Sequence, residues 1–377
     1  MKNSILLGTF LIVLLSSLNG FNIYLTVLFA ILSYIMMPLG KYWDNQTILL
    51  CFFSFFYSSI IFLNDDVVSF VNIISYLVCP VAFYRLGLYF TRQAKTKQKY
   101  LVLWMILISA YILPLAYQTI NSIREVGLIN IFRTLGGEGE DNALNATLYG
   151  LHASIGLAGI SVLFCKLSDI RWQKIILSIC TILSLLTVIH LVNRTGLVVL
   201  IACLCICIFY SKRNKPKSLL GYIAIIAIFV IVAIASGVIN EDIVEAYMYR
   251  EERSDETGTT DAGGRVSLWA NALDHLFTHP LGFPKERFAH NLWLDVARVS
   301  GLLPFFMFMI ASIKNYIYLY RIYRRDEYEI TPFILGLNVV MFLSSFVEPV
   351  MEGSVLYFCL FMFLWGCNKV ICYRKWN

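Results

Sequence analysis

The stretch Ile175-Ile-Leu-Ser-Ile-Cys-Thr-Ile-Leu-Ser-Leu-Leu-Thr-Val-Ile-His-Leu-Val192 contains no Asp, Glu, Lys or Arg. A helix of about 20 apolar residues crosses the roughly 30 Å hydrocarbon core of a membrane, so this run predicts a membrane-spanning helix. Similar runs recur along the whole chain. They are residues 4–18, 21–38, 47–63, 67–89, 100–118, 147–165, 175–192, 196–210, 218–238, 292–318, 332–347 and 354–372.

The composition agrees with this pattern. Of the 377 residues, 59% are hydrophobic and 14% are charged, and the mean hydropathy is +0.71. These values are far more apolar than those of a soluble domain. We therefore predict an all-α polytopic membrane protein with about 12 transmembrane helices, forming a single integral membrane domain over residues 1–377.

Basic clusters predict which side of the membrane each loop faces. They lie in residues 91–99, 166–174, 211–217 and 321–325, and at Arg374 and Lys375. Under the positive-inside rule these segments face the cytoplasm, and with about twelve spans both termini do so too. The formal net charge of +6 thus reflects membrane topology, and no nucleic-acid partner is expected.

The largest loop, residues 239–291, is expected on the opposite side of the membrane. Residues 240–291 carry ten acidic against five basic residues, which fits an external location. From Gly264 to about Thr278 the apolar residues recur at helical spacing, and Pro280 ends the pattern. The loop therefore predicts a short amphipathic helix that lies at the membrane surface or packs over the bundle. Its predicted apolar stripe is Val266, Trp269, Leu273, Leu276 and Phe277.

Two arginines are candidates for binding phosphate. Arg194 occupies a short external turn between two apolar runs, against the positive-inside bias, and Arg265 opens the amphipathic helix. A guanidinium binds phosphate oxygens through paired N–H donors. Snorkelling to lipid headgroups is the alternative for Arg194. Arg133, in the loop around residues 119–146, is a second-tier phosphate candidate.

His290 stands at the mouth of a predicted span and is the candidate general base, because the pKa of histidine lies near neutrality. The alternative is an interfacial histidine that is hydrogen-bonded to local carbonyls. Asn291 is expected to orient His290 or to bind substrate. Arg298 is expected to pair with Asp295 three residues earlier, with a substrate role left open. Glu348 beside Pro349 either binds sugar or guides a helix break.

The sequence predicts neither a metal nor a cofactor. His275 and His279 have helical spacing, but Pro280 ends the helix and no HExxH-type glutamate separates them. Glu138, Glu140 and Asp141 resemble a solvated loop more than a cation site. The ten cysteines form no CxxC or Cys/His set, and nucleotide-binding and serine-hydrolase motifs are missing.

The order of the motifs resembles a known family. Asn193-Arg194-Thr195-Gly196 is an Arg-Thr turn after a mid-chain span, and the large loop opens with Gly264-Arg265 followed by Trp269. The loop continues through Pro280-Leu281-Gly282 to His290-Asn291, and Gly-Leu-Leu-Pro occupies residues 301–304. This order is similar to that of the O-antigen polymerase (Wzy-type) and O-antigen ligase superfamily. The family turn often reads Ser-Arg, whereas this chain has Asn193 before Arg194.

The resemblance implies an inverting, metal-independent glycosyl transfer on the periplasmic face of the bacterial inner membrane. The donor would be an oligosaccharide linked to undecaprenyl diphosphate, among membrane lipids. Arg194 and Arg265 would bind the diphosphate, and His290 would be the catalytic base. Arg133, Asn291, Arg298 and Glu348 would be second-tier substrate-binding residues.

The expected function is an O-antigen or polysaccharide polymerase that joins lipid-linked repeat units, with a chain-length regulator as a candidate partner. An O-antigen ligase, which transfers the glycan to lipid A-core, is the enzymatic alternative. A flippase of lipid-linked glycans is the non-enzyme alternative. A flippase would carry charges along a central cavity, whereas here they gather at the external face. A structural or sensor membrane protein is the remaining alternative.

Overall fold

The structure is a computed structural model that describes residues 23–37, 42–64, 68–128, 134–135, 144–212, 265–283, 288–325 and 329–374. Its helices are α1 (Ile23–Met36), α2 (Asn45–Asn64), α3 (Phe70–Gln93), α4 (Lys97–Val126), α5 (Ala146–Leu157), α6 (Arg171–His190), α7 (Arg194–Lys212), α8 (Arg265–Thr278), α9 (Leu292–Ser300), α10 (Leu302–Arg324), α11 (Thr331–Val347), α12 (Val350–Gly353) and α13 (Val355–Tyr373). A 3-10 helix, Ala158–Phe164, follows α5.

The helical fold class is confirmed, and the chain is a multi-pass membrane protein. Within the described residues, seven helical segments are long and apolar enough to cross a membrane, and three shorter apolar helices accompany them. The count of about 12 spans is not confirmed, and the predicted runs 4–18 and 218–238 lie outside the described residues. The one β-pairing described is antiparallel and joins β1 (Thr134–Leu135) to β2 (Leu144–Asn145).

The chain divides into two compact units. The first comprises residues 1–114, 265–326 and 341–377, and the second comprises residues 115–264 and 327–340. In the first unit, α3 and α13 pack closely because glycines face the partner backbone. A Cβ atom on Gly87 would overlap the Phe363 carbonyl, and one on Gly366 would overlap the Tyr84 carbonyl. Small residues of this kind let membrane helices approach each other.

Polar contacts join the helices of the first unit at the start of α2. Asp44 caps α2 by accepting hydrogen bonds from the backbone N–H groups of Gln46 (2.8 Å) and Thr47 (2.7 Å). The same carboxylate accepts a 3.2 Å hydrogen bond from the Tyr84 hydroxyl of α3. It also pairs at 2.8 Å with Lys369 of α13. One carboxylate therefore joins the start of α2 to Tyr84 of α3 and to Lys369 near the end of α13.

The second unit packs through small residues in the same way. A Cβ on Gly159 would overlap the Leu177 carbonyl of α6, and one on Gly196 would meet the Val188 side chain. The Thr181 hydroxyl donates to the Gly156 carbonyl at 3.0 Å. These close approaches hold α5, α6 and α7 together without a large side chain between them.

The predicted span over residues 292–318 is wrong as a continuous helix, because the structure divides it at Gly301 into α9 and α10. Gly301 has φ +74°, a conformation that glycine adopts without steric cost. A Cβ there would overlap the Pro280 carbonyl, which accepts a 3.0 Å hydrogen bond from the Leu302 N–H. The Pro280-Leu281-Gly282 turn thus packs against the break at Gly301, between the short helix α9 and the long helix α10.

The amphipathic helix of the large loop is confirmed as α8. Its contacts differ from the predicted stripe, since only Ala272 and Leu276 are buried and Trp269 is half-buried. Val266, Leu273 and Phe277 of that stripe are exposed. The helix therefore packs through one narrow edge of the stripe and leaves the rest of its apolar residues uncovered in the protein.

Candidate functional site

The loop before α9 is held in place by Asp295. Its carboxylate accepts hydrogen bonds from the backbone N–H groups of Ala289 (2.7 Å) and Asn291 (3.1 Å). These residues flank His290 on both sides. Asp295 lies in the first turn of α9 and is 2% exposed. A buried carboxylate with two backbone donors fixes the path of the chain through His290.

His290 adopts a backbone conformation that is rare for its residue type. Its φ is +52°, in the left-handed region, where a residue with a Cβ is strained unless its surroundings enforce it. The Asp295 hydrogen bonds on either side supply that enforcement. Strained backbone of this kind concentrates at functional sites, which supports the selection of His290 as the candidate base.

Asn291 connects the His290 loop to the end of α11. Its side-chain oxygen accepts from the Trp293 N–H (3.1 Å) and the Leu294 N–H (3.2 Å), so it caps α9. Its Nδ2 donates to the Phe346 carbonyl at 3.1 Å, two residues before Glu348. Both ends of the amide thus bind backbone, which supports a role in orienting His290.

The structure brings together three of the selected residues, all in the first unit: Arg265, His290 and Glu348. An Nη2 of Arg265 lies 3.5 Å from Glu348 Oε1. The Nδ1 of His290 lies 3.9 Å from Glu348 Oε2. Glu348 is 4% exposed, whereas Arg265 and His290 are 27% and 32% exposed. The buried carboxylate of Glu348 therefore contacts a guanidinium and an imidazole that are both partly exposed to solvent.

Arg265 is positioned by α8, of which it is the first residue. Trp269, one turn later, donates from its indole N–H to the Ala289 carbonyl at 2.8 Å. The Trp269 ring also packs edge-on against Phe346, with 5.2 Å between ring centroids. One tryptophan therefore ties α8 to the His290 loop and to the end of α11, and it brings Arg265 to the same place.

The electrostatics keep His290 neutral. Burial lowers the pKa of the imidazole below its ordinary value, and the positive charge of Arg265 lowers it further, while Asp295 opposes the shift. A neutral imidazole can accept a proton, as a general base must. Nδ1 makes no hydrogen bond to any residue in the described ranges, so the ring is oriented chiefly by its backbone.

Arg298 lies in the neighbouring ion pair that its spacing predicts. Its Nε lies 3.3 Å from Asp295 Oδ1, and both side chains are 2% exposed. Its guanidinium also faces the Phe288 ring at 5.4 Å. This burial favours the structural interpretation, in which Arg298 neutralises the carboxylate that shapes the His290 loop.

Arg194 belongs to the second unit, where it is the half-buried first residue of α7. Asn193 accepts a 2.8 Å hydrogen bond from the Gly196 N–H and so caps the helix. His190, just before the turn, contacts the Leu128 carbonyl at 2.8 Å and the Ser122 hydroxyl at 2.9 Å. The asparagine of this turn therefore serves as a helix cap in front of Arg194.

No other selected residue joins this constellation within the described part of the chain. Arg133, Glu138, Glu140 and Asp141 lie outside the described residues. The His275 and His279 rings lie 5.4 Å apart, and the described ranges contain no group of three or more metal-ligating side chains. Sequence reasoning missed Asp295 as the residue that shapes the loop. A carboxylate in the first turn after an Asn cap was the available signal.

A family model matches the part of the chain that carries Arg194, Arg265 and His290. Residues 179–309 match the O-antigen ligase family model. The match spans Arg194, Arg265 and His290, and it supports the superfamily that the order of motifs predicts. Members of this family are glycosyltransferase-like enzymes. A comparison with curated proteins finds no match. The family match therefore suggests activity of the O-antigen ligase or polymerase type.

Proposed function

We propose that this protein is an O-antigen or polysaccharide polymerase. It joins oligosaccharide repeat units carried on undecaprenyl diphosphate at the periplasmic face of the bacterial inner membrane, by inverting, metal-independent glycosyl transfer. The observation that carries the proposal is the convergence of Arg265 and His290 on the buried carboxylate of Glu348. It supports the proposal because a guanidinium that can bind an anion and an imidazole that can accept a proton both contact this carboxylate and both reach solvent.

Arg265 binds the diphosphate of the donor. Glu348 contacts one Nη2 of the guanidinium at 3.5 Å, and the group carries five N–H donors. Its other donors are therefore available for phosphate oxygens. As the first residue of α8, Arg265 also stands where the helix N-terminus favours negative charge. Arg194 is the second proposed diphosphate ligand.

The proposed reaction needs one base and one anion-binding group. The acceptor hydroxyl oxygen attacks the anomeric carbon of the donor sugar and forms the new glycosidic bond. The bond from that carbon to the diphosphate oxygen breaks, and its electron pair leaves with the diphosphate. The hydroxyl proton passes to His290. Arg265 stabilises the charge that develops on the leaving diphosphate.

Glu348 organises the two reacting side chains. Its buried carboxylate holds Arg265 from behind and attracts a proton on Nδ1 of His290, which leaves Nε2 as the basic nitrogen. The 3.9 Å separation from Nδ1 is longer than a hydrogen bond, and catalytic contacts often shorten only when substrate binds. In this role Glu348 acts through Arg265 and His290.

The O-antigen ligase is the second candidate, because the matching family carries that description. Polymerase and ligase would share the donor and the site described above. They differ in the acceptor, which is a second lipid-linked repeat unit for the polymerase and a sugar of lipid A-core for the ligase. The acceptor therefore decides between the two functions.

Complementation tests the proposal. A strain lacking its polymerase receives the wild-type chain, His290→Ala, Arg194→Ala, Arg265→Ala or the control His279→Ala, an exposed histidine near the end of α8. The lipopolysaccharide ladder is read on a gel, and the amount of each protein is measured by blotting. We expect the wild-type chain and His279→Ala to restore bands above the single repeat unit. The other three variants should accumulate and remain inactive.

Each alternative has its own outcome. Failure in the polymerase-deficient strain, with rescue of a strain that makes long undecaprenyl-linked chains but leaves them unattached to core, would assign the ligase. Rescue of a flippase-deficient strain alone would assign transport. Full complementation by all three site variants would mean that these residues are not the site.

A further inference from the structure

Arg85 of α3 is a buried cation that the proposed reaction does not use. Its side chain is 0% exposed. Within the described part of the chain, none of its three guanidinium nitrogens makes a hydrogen bond. The guanidinium faces the rings of Tyr34 and Trp43 at 5.1 Å and 5.4 Å from their centroids. It is thus enclosed by aromatic faces and is left without an acceptor.

Such an environment is incomplete for a guanidinium. The group stays protonated in proteins and presents five N–H donors. Aromatic faces attract its charge but do not accept these hydrogen bonds as an anion does. A buried charge without a hydrogen-bonded counter-charge is strongly disfavoured. The site therefore calls for an anion with several acceptor oxygens.

The carboxylate of Asp44, the residue after Trp43, is bound to other groups. Asp44 caps α2 and binds Tyr84, the neighbour of Arg85, at 3.2 Å. It also forms the 2.8 Å ion pair with Lys369. Tyr34, which covers Arg85, donates its own hydroxyl to the Val78 carbonyl at 3.5 Å. Within the described residues, the groups that contact Arg85 therefore do not supply a negative charge.

Arg85 lies at the level of a membrane boundary. Helix α2 has 20 residues, and at 1.5 Å per residue it spans about 30 Å, the thickness of the hydrocarbon core. Asp44 caps its first turn, and the contact of Asp44 with Tyr84 puts Arg85 at this end of α2. The phosphate groups of lipids lie just beyond the same boundary.

We propose that Arg85 binds the phosphate of an anionic phospholipid. Trp43 is 44% exposed and its ring lies over the guanidinium. The lipid headgroup reaches Arg85 by displacing this ring. The planar guanidinium matches phosphate oxygens through paired N–H donors. The positive-inside rule assigns this end of the spans to the cytoplasmic leaflet, where anionic lipids reside. The site is separate from the proposed transfer reaction and does not depend on it.

Lipid-dependent stability tests the proposal. The full chain is purified in a neutral detergent as wild type, Arg85→Met and Arg92→Met. Arg92 lies on the same helix and is exposed, so its variant loses the same charge outside the site. Thermal unfolding is followed with added phosphatidylglycerol, phosphatidylcholine or inorganic phosphate, and retained lipid is identified by native mass spectrometry.

We expect phosphatidylglycerol to raise Tm of the wild type and of Arg92→Met by about 5 °C, and that of Arg85→Met by less than about 1 °C. Methionine replaces a buried charge with an apolar chain, a change that proteins often tolerate. Arg85→Lys, which keeps the charge without the paired donors, is measured if Arg85→Met does not accumulate. Its shift should be at most half that of the wild type.

Three results would overturn the proposal. The first is an equal phosphatidylglycerol shift in Arg85→Met, or in Arg85→Lys when that variant is used. The second is the absence of any shift in the wild type. The third is an equal shift with inorganic phosphate, which would assign the site to a free phosphate. None of these results bears on glycosyl transfer.

Discussion

Two arginine–carboxylate pairs lie in the first unit, and they differ in the exposure of the arginine, although both carboxylates are buried. Asp295 and Arg298 are 3.3 Å apart and 2% exposed, and Asp295 also accepts two backbone hydrogen bonds. Arg265 and Glu348 are 3.5 Å apart, and Arg265 reaches solvent. His290 stands between the pairs, shaped by Asp295 and facing Glu348.

The contrast suggests different roles for the two pairs: Asp295 and Arg298 stabilise the fold, and Arg265 and Glu348 belong to the candidate site. A buried pair whose acceptors are already engaged holds a backbone in place, and it has little capacity left for a ligand. A looser pair with an exposed guanidinium retains donors for a substrate anion. Because the first pair fixes the loop that carries His290, it sets where His290 lies relative to the second pair. Five predictions test this division of roles.

Removal of the proposed base, His290, should have the largest effect. We expect His290→Ala to lower the rate of glycosyl transfer about 10²–10⁴-fold, the usual contribution of a general base. The measurement is the initial rate with lipid-linked donor in membrane vesicles, normalised to the amount of protein. His279→Ala is the matched control. Thermal unfolding of His290→Ala should stay close to wild type, since the Asp295 hydrogen bonds to its neighbours remain.

Asp295→Ala should act on folding first. It removes the carboxylate that the buried Arg298 and two backbone N–H groups bind, and breaking a buried pair costs about 3–5 kcal/mol. We expect a large fall in Tm or in folded yield, with activity lost in proportion. The double variant Asp295→Leu, Arg298→Met should recover part of the stability but not the His290 geometry. An Asp295→Ala protein with unchanged Tm would refute the scaffold role.

Arg265→Ala should lower the rate about 10²–10³-fold, the size of effect that follows loss of one donor to a developing anion. Arg265→Lys keeps the charge but loses the paired donors, so we expect it to retain part of the activity. Arg265→Lys should unfold near the wild-type temperature because it keeps a positive charge beside the buried carboxylate of Glu348. Arg265→Ala removes that charge and should lower Tm, so the lysine variant separates the loss of paired donors from an effect on folding. A variant with a normal rate of transfer but impaired folding would show that Arg265 stabilises the fold and does not bind the donor.

Glu348→Gln should show a smaller loss of rate, about tenfold, because the amide preserves the shape of the side chain but removes its charge. Arg265 and His290 would then be held less firmly. Asp295→Asn is the matched comparison, because it also replaces a carboxylate by its amide. We expect Asp295→Asn to lower Tm more, and Glu348→Gln to lower the rate more relative to its effect on Tm. The reverse order would contradict the distinction between the two pairs.

The pH dependence should give the smallest effect. A base works only when unprotonated, so the rate falls as the pH drops through the pKa of His290. Burial and Arg265 lower that pKa, and we expect half-maximal rate below about pH 6.5, the ordinary value for histidine. Arg265→Met removes one cause and should move this midpoint to higher pH. A midpoint that does not move in Arg265→Met would indicate that a group other than His290 controls the pH dependence of the rate.

Much of the fold could be read from apolar runs, because a helix in hydrocarbon must satisfy its own backbone hydrogen bonds. The runs at 47–63, 175–192 and 354–372 correspond to α2, α6 and α13 within a few residues. The run 292–318 was misread, because hydropathy does not register the φ of +74° at Gly301. Three of the five stripe residues of α8, Val266, Leu273 and Phe277, are exposed in the protein. The stripe does not predict this exposure, because periodicity does not say which apolar residues a neighbouring helix covers.

Apolar runs and helical periodicity in the amino-acid sequence predict a helical multi-pass membrane protein with an amphipathic helix that opens at Arg265, and they single out His290 and Glu348 as polar groups among apolar spans. The contact of Arg265, His290 and Glu348 is known from the folded chain, since the three residues lie on separate segments. The tertiary structure also decided that Asp295 shapes the His290 loop. Helix periodicity is a local property of the chain, whereas contact between distant segments depends on packing that no local pattern encodes.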